Sequence, residues 1–147
     1  MATQETSRKM KMYVFKTLTF SAAHRIYNPN FSEEKNHEIF GKDDNFYGHG
    51  HNYKLIVGVV GTINPDTGYV YDANKLGDVV QECLIKKLDH KNLNFDVDFM
   101  RGVMPTSENF LARIWPIIQE ALPEVQLSSL RVYENETLWV EYRGEHE

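Results

Sequence analysis

Cysteine is nearly absent: Cys83 is the sole thiol among 147 residues. One cysteine excludes an internal disulfide and any cysteine-based zinc cage. No apolar run approaches the roughly 20 residues of a membrane span, so no membrane partner is expected. The opening stretch from Met1 to Lys11 is polar and lacks the apolar core of a signal peptide. It reads as a flexible tail over residues 1–11, and the protein reads as cytoplasmic. Positive charge is not in excess either: 16 Lys and Arg against 21 Asp and Glu leave a formal net charge of −5. That balance argues against nucleic-acid binding. It leaves room for an anionic small substrate, because a few local cations can dominate a pocket. With no linker, low-complexity segment or strong internal repeat, residues 12–147 read as a single domain.

What remains is ordinary for a globular chain, 41% hydrophobic and 25% charged. The stretch around which it is organised is Phe40-Gly41-Lys42-Asp43-Asp44-Asn45-Phe46-Tyr47-Gly48-His49-Gly50-His51-Asn52-Tyr53. A β-branched run follows, so His49 and His51 enter a strand and share one face of it. Two imidazoles on one face can share a metal ion, and the flanking glycines leave space for it. His24, in Phe20-Ser21-Ala22-Ala23-His24-Arg25, is the candidate third ligand. Three imidazoles with an open fourth position make a catalytic zinc site, so Zn2+ is the expected cofactor.

In chain order, Tyr13 to Ala22 reads as a strand whose inward parity His24 extends, Glu33 to Phe40 as a short helix ending at Gly41, and Asn52 to Gly61 as the second strand. Asp72 caps an amphipathic helix through Leu88, with Cys83 on its apolar stripe as a small hydrophobe. Thr106 caps a second helix carrying Phe110, Leu111, Ile114, Ile117 and Ile118; Pro116 inside it predicts a kink or an early end. Two strands, Leu130 to Glu134 and Thr137 to Tyr142, follow about a turn at Asn135-Glu136. Strands segregated from helices indicate an α+β domain: an antiparallel four-stranded sheet with two helices on one face. Its open edges invite ring-like oligomerisation. Asp89-His90 reads either as a polar helix end or as an acid/base pair. Glu134 reads either as a solvated acid or as an acceptor for a guanidine-like ligand edge.

Taken together these blocks, with Leu88-Asp89-His90-Lys91-Asn92-Leu93, Pro105-Thr106-Ser107-Glu108-Asn109 and Val132-Tyr133-Glu134, resemble the 6-pyruvoyltetrahydropterin synthase family from about Tyr13 to Gly144. The resemblance implies the tunnelling fold (T-fold), with trimers closing a β-barrel, two trimers stacking into a homohexamer, and active sites between subunits. It implies a lyase that converts 7,8-dihydroneopterin triphosphate to 6-pyruvoyl-tetrahydropterin with loss of triphosphate, in tetrahydrobiopterin-type pterin biosynthesis. By match, His24, His49 and His51 bind zinc, Asp89 and His90 form the proton relay, and Glu134 anchors the pterin with help from Thr106 and Ser107. Arg25, Lys42 and Lys54 flank the metal motif, and Arg25 and Lys54 are the foremost candidates to meet the triphosphate.

One departure stands out. The family usually has a cysteine, its general base, where this chain has Asp43. Asp43 or Asp44 then serves as the base, or His90 acts alone, or the usual activity is lost. Three rival functions follow: side-chain cleavage to 6-hydroxymethyl-7,8-dihydropterin on the folate route, a 6-carboxytetrahydropterin synthase, and a catalytically silent pterin-binding homologue.

Overall fold

The computed structural model describes residues 9–147. Most of the expected tail, residues 1–8, lies outside the described residues. Strand β1 (Met12–His24) pairs antiparallel with β2 (His49–Gly61) along its whole length, from Met12↔Gly61 to His24↔His49. Between them lie helix α1 (Glu33–Phe40), capped by the Ser32 hydroxyl, and a 3₁₀ turn over Gly41–Asp44. After β2, Asp72 caps the helical run α2. This consists of Ala73–Val80, a single π turn over Gln81–Ile85, and Lys86–Leu88. Then come β3 (Lys91–Asn92), α3 (Ser107–Ala121), β4 (Gln126–Asn135) and β5 (Leu138–Tyr142).

The sheet corrects the expectation of four antiparallel strands. It has five, in the order β3-β1-β2-β4-β5, and β3 runs parallel to β1 beside Ala22 and Ala23. A two-residue strand is too short to show a periodicity. It exists because His90 takes a left-handed backbone (φ 62°) that turns the chain out of α2, and because the His90 amide donates to the Ser21 carbonyl at 2.6 Å. The early end expected at Pro116 does not occur, since α3 continues to Ala121. Pro116 and Ala112, whose carbonyl the proline leaves without a helix partner, are both exposed, so water can replace the missing bond. The last hairpin turns at Glu136-Thr137, where the Asn135 side chain accepts from the Thr137 amide at 2.9 Å.

Both α2 and α3 pack on one face of the sheet. Leu18, Phe20, Tyr53, Leu55, Val57, Leu130 and Val132 from the strands meet Leu76, Val80, Leu84, Leu88, Phe110 and Ile114 from the helices. Cys83 packs half-buried against this core, as its place on the apolar stripe predicts. No element among the described residues covers the opposite face, where Tyr13 and Phe15 are 58% and 56% exposed. No helix among the described residues is long and apolar enough to cross a membrane.

Candidate active site

The covered face of the sheet ends in histidines. His24 closes β1 directly opposite His49, which opens β2, while His51 lies opposite Ala22. This pairing places three rings on one face, as the alternation predicts. Gly48 makes the approach possible. Its φ is +78°, and a Cβ there would stand 2.8 Å from the His24 carbonyl oxygen. At Gly50 a Cβ would make only ordinary contact, 3.6 Å from the Ala22 oxygen. The room expected of both glycines is therefore needed at Gly48 alone, and it serves chain approach.

One nitrogen from each ring can be chosen so that all three lie within 4.8 Å of one another. The Nε2 atoms of His24 and His49 are 3.1 Å apart. His24 Nδ1 lies 2.8 Å from the Pro105 carbonyl, which can only accept, so the proton sits on Nδ1 and Nε2 presents its lone pair. His51 Nε2 is buried without a hydrogen-bond partner. Burial lowers the pKa of His24, opposed by the Pro105 bond and reinforced by His49; burial also lowers that of His51. Converging imidazoles with an orphaned nitrogen fit a metal ion. All-imidazole donors suit zinc or a similar divalent transition metal.

A carboxylate faces the same space. Leu130, Val132 and Glu134 share the covered side of β4. Glu134 accepts from Ser107 Oγ at 2.8 Å, and Ser107 opens α3. Thr106 uses its hydroxyl to cap that helix, accepting from the Asn109 amide at 3.2 Å. Tyr53 lies beneath, its hydroxyl 3.4 Å from His24 Nδ1. Burial, then the Glu134 charge, pushes the Tyr53 phenol far above its ordinary value, so it stays protonated.

Asp43 and Asp44, alternatives in the sequence, are separated by the structure. Asp43 Oδ1 approaches His49 Nε2 at 3.7 Å, with its side chain 62% exposed. Asp44 is buried against Arg25, whose Nη2 donates to Asp44 Oδ1 at 2.8 Å. Lys54 stands on the opposite face of β2 from the histidines, its ammonium 4.2 Å over the Tyr133 ring. Lys42 is exposed beside Asp43 in a cleft that His49 also lines.

Asp89 and His90 are brought together at the edge of the sheet. Asp89 Oδ1 accepts from the Ser21 amide at 2.8 Å, and Oδ2 lies 3.1 Å from His90 Nδ1. The Ser21 bond, then His90, holds the Asp89 carboxyl below its usual range. His90 is 83% exposed and shares a shallow cleft at the sheet edge with Gly50, His51 and Asn92. Among the described residues no hydrogen bond or ion pair links this couple to Asp43. Cys83 lies on α2, its thiol pKa raised by burial. Sequence reasoning missed the Pro105 carbonyl and the Asn94 side chain that grips Arg25. Backbone acceptors and loop amides leave no residue pattern to read.

The profile of the family described as 6-pyruvoyl tetrahydropterin synthase matches residues 13–145. The chain is 41% identical to the human 6-pyruvoyl tetrahydrobiopterin synthase over 145 residues, covering 99% of this chain and all of the relative. It is also 41% identical to the Poecilia reticulata protein of that name, across 90% of each chain. Among solved structures, the 6-pyruvoyl tetrahydropterin synthase of Caenorhabditis elegans superposes with a TM-score of 0.86 at 33% identity, covering 94% of this chain and 99% of the other. With a near full-length match in both sequence and fold, the chain belongs to the 6-pyruvoyl tetrahydropterin synthase family.

Proposed function

We propose that the protein is a lyase that takes 7,8-dihydroneopterin triphosphate, expels triphosphate and yields 6-pyruvoyl-tetrahydropterin. The observation that carries this reading is the convergence of His24, His49 and His51 beside Glu134 on one sheet face, in a chain matched by the family along nearly its whole length. Glu134, steadied by Ser107, accepts hydrogen bonds from the guanidine-like edge of the pterin. That fixes the ring and leaves the side chain toward the histidines. His24, His49 and His51 would hold a zinc ion, which when bound would supply a Lewis acid for the side-chain hydroxyls. Asp43 is the base that removes a proton from a side-chain carbon. The bond to the triphosphate then breaks with its electron pair, and tautomerisation passes hydrogen from side chain to ring, so no external oxidant is needed.

His90, oriented by Asp89, carries protons from the edge of the sheet. Because that couple faces outward, we assign it to the site of a neighbouring copy. The unpaired part of β1 and the edge of β5 would close a ring of three chains, and two rings would make a hexamer. One observation favours a second reading, side-chain cleavage to 6-hydroxymethyl-7,8-dihydropterin: the acid/base candidate beside His49 is the Asp43 carboxylate, and the one thiol, Cys83, lies on α2. Incubation with dihydroneopterin triphosphate and mass analysis decides. A 6-pyruvoyl product with inorganic triphosphate is expected; 6-hydroxymethyldihydropterin would overturn the first reading in favour of the second. Metal analysis of the purified protein should return one zinc per chain.

A further inference from the structure

Arg25 follows one of the three converging histidines and is, with Lys54, a foremost candidate to meet the triphosphate, yet its guanidinium is already committed. Nη2 and Nε both reach Asp44 Oδ1, at 2.8 and 3.2 Å, and Nε also reaches the Asp44 carbonyl at 2.9 Å. The guanidinium carbon lies 4.0 Å from the Tyr27 ring centroid and 5.3 Å from that of Phe46. Both charges are largely withdrawn from water, with side chains 18% and 8% exposed. The main chain is tied down as well. The Arg25 amide donates to Asn94 Oδ1 at 2.8 Å, Asn94 Nδ2 donates to the Arg25 carbonyl at 3.0 Å, and the Ile26 amide donates to the Asp43 carbonyl at 2.8 Å.

By contrast, the Asp43 carboxylate makes no hydrogen bond among the described residues and only approaches His49. Its place depends on the backbone on either side. The Ile26 bond holds that backbone on one side, and the Arg25 fork on Asp44 holds it on the other. We propose that Arg25 is a positioning residue: through the buried Asp44 it sets Asp43 beside His49, and it does not bind the triphosphate. The proposal rests on the reading of Asp43 as the base. Lysine cannot replace arginine in this role, because a point charge lacks the planar fork that grips both a carboxylate and a carbonyl.

Arg25→Lys, Asp44→Asn and the double variant test it. Asp44→Asn keeps the size of the side chain and one acceptor, so the fold persists. Each single variant should lower kcat roughly 10- to 100-fold, the scale of loss when a reacting group is displaced by about 1 Å, with KM for dihydroneopterin triphosphate little changed. The double variant should be no worse than the weaker single, since both changes cut one linkage. A raised KM with intact kcat in Arg25→Lys, together with a silent Asp44→Asn, overturns the proposal and returns Arg25 to the triphosphate. Amide exchange of Ile26 and residues 41–45, followed by mass spectrometry, needs no turnover. Both single variants should speed it, and unchanged exchange overturns the proposal. If the wild-type protein turns over no substrate, the functional reading fails, and the exchange measurement still decides whether Arg25 anchors this turn.

Discussion

Asp43 and Asp89 each set a carboxylate beside an imidazole, and the two couples are held in opposite ways. Asp89 is gripped from both sides, by the Ser21 amide at 2.8 Å and by His90 at 3.1 Å. Its histidine projects almost entirely into solvent from the edge of the sheet. Asp43 has a loose carboxylate, 3.7 Å from a histidine that belongs to a converging group of three. The contrast separates a group that a single chain assembles from a couple that a single chain only displays. In the proposed oligomer the displayed couple completes a site on a second copy. Among the described residues only Asp89 pairs with the His90 ring, so this carboxylate is what orients it.

The comparison can be broken at several points. His24→Ala removes the ligand buried most deeply and frees the Pro105 carbonyl. It should abolish stoichiometric metal, read by elemental analysis, and cost at least about 10⁴-fold in activity, the upper range for a single catalytic group. Asp43→Asn keeps the shape and removes the proposed base, so kcat should fall by roughly 10²–10⁴-fold while the metal content stays at the wild-type level. Unchanged kcat would remove Asp43 from the mechanism.

Asp89→Asn should lower kcat by about 10²-fold, the low end of the same range. Its particular signature is complementation. Co-refolding Asp89→Asn chains with Asp43→Asn chains should restore activity, because a mixed oligomer contains sites with an intact Asp43 from one copy and an intact Asp89 from another. If mixing restores nothing, the couple serves its own chain.

A smaller effect concerns acid stability. The Asp89 pKa is depressed in the folded chain. The group therefore stabilises the fold above the ordinary carboxylate pKa of roughly 4, and that contribution is lost as pH falls through its lower folded value. Denaturant titrations between these limits should show a shallower acid limb for Asp89→Asn than for wild type. An identical limb in both would show that the Ser21 bond is not felt. The smallest effect is expected at Cys83, half-buried on α2 with its thiol pKa raised by burial. Iodoacetamide should leave activity intact, and strong inhibition would place a thiol in the chemistry after all.

Much of this could be read from residue order. The alternation through His49, His51, Tyr53 and Leu55 marks a single strand face, and Asp72 and Thr106 cap helices where hydroxyl and carboxylate side chains are expected to. Other features had no local signal. The β3 strand is two residues long and owes its existence to a left-handed His90 and a bond to Ser21. Nothing in Asp43-Asp44 tells which carboxylate faces the histidines. That depends on Arg25, which lies far from them in sequence.

The order of residues by itself determined an α+β chain, the face on which each histidine lies and the family to which the protein belongs, because side-chain periodicity and capping are short-range effects. Only the tertiary structure decided that His24 meets His49 across paired strand ends, that Asp44 is buried while Asp43 is exposed, and that His90, oriented by Asp89, projects into solvent at a cleft that His51 also lines. Those outcomes depend on strand register and on contacts between distant segments, which no local pattern encodes.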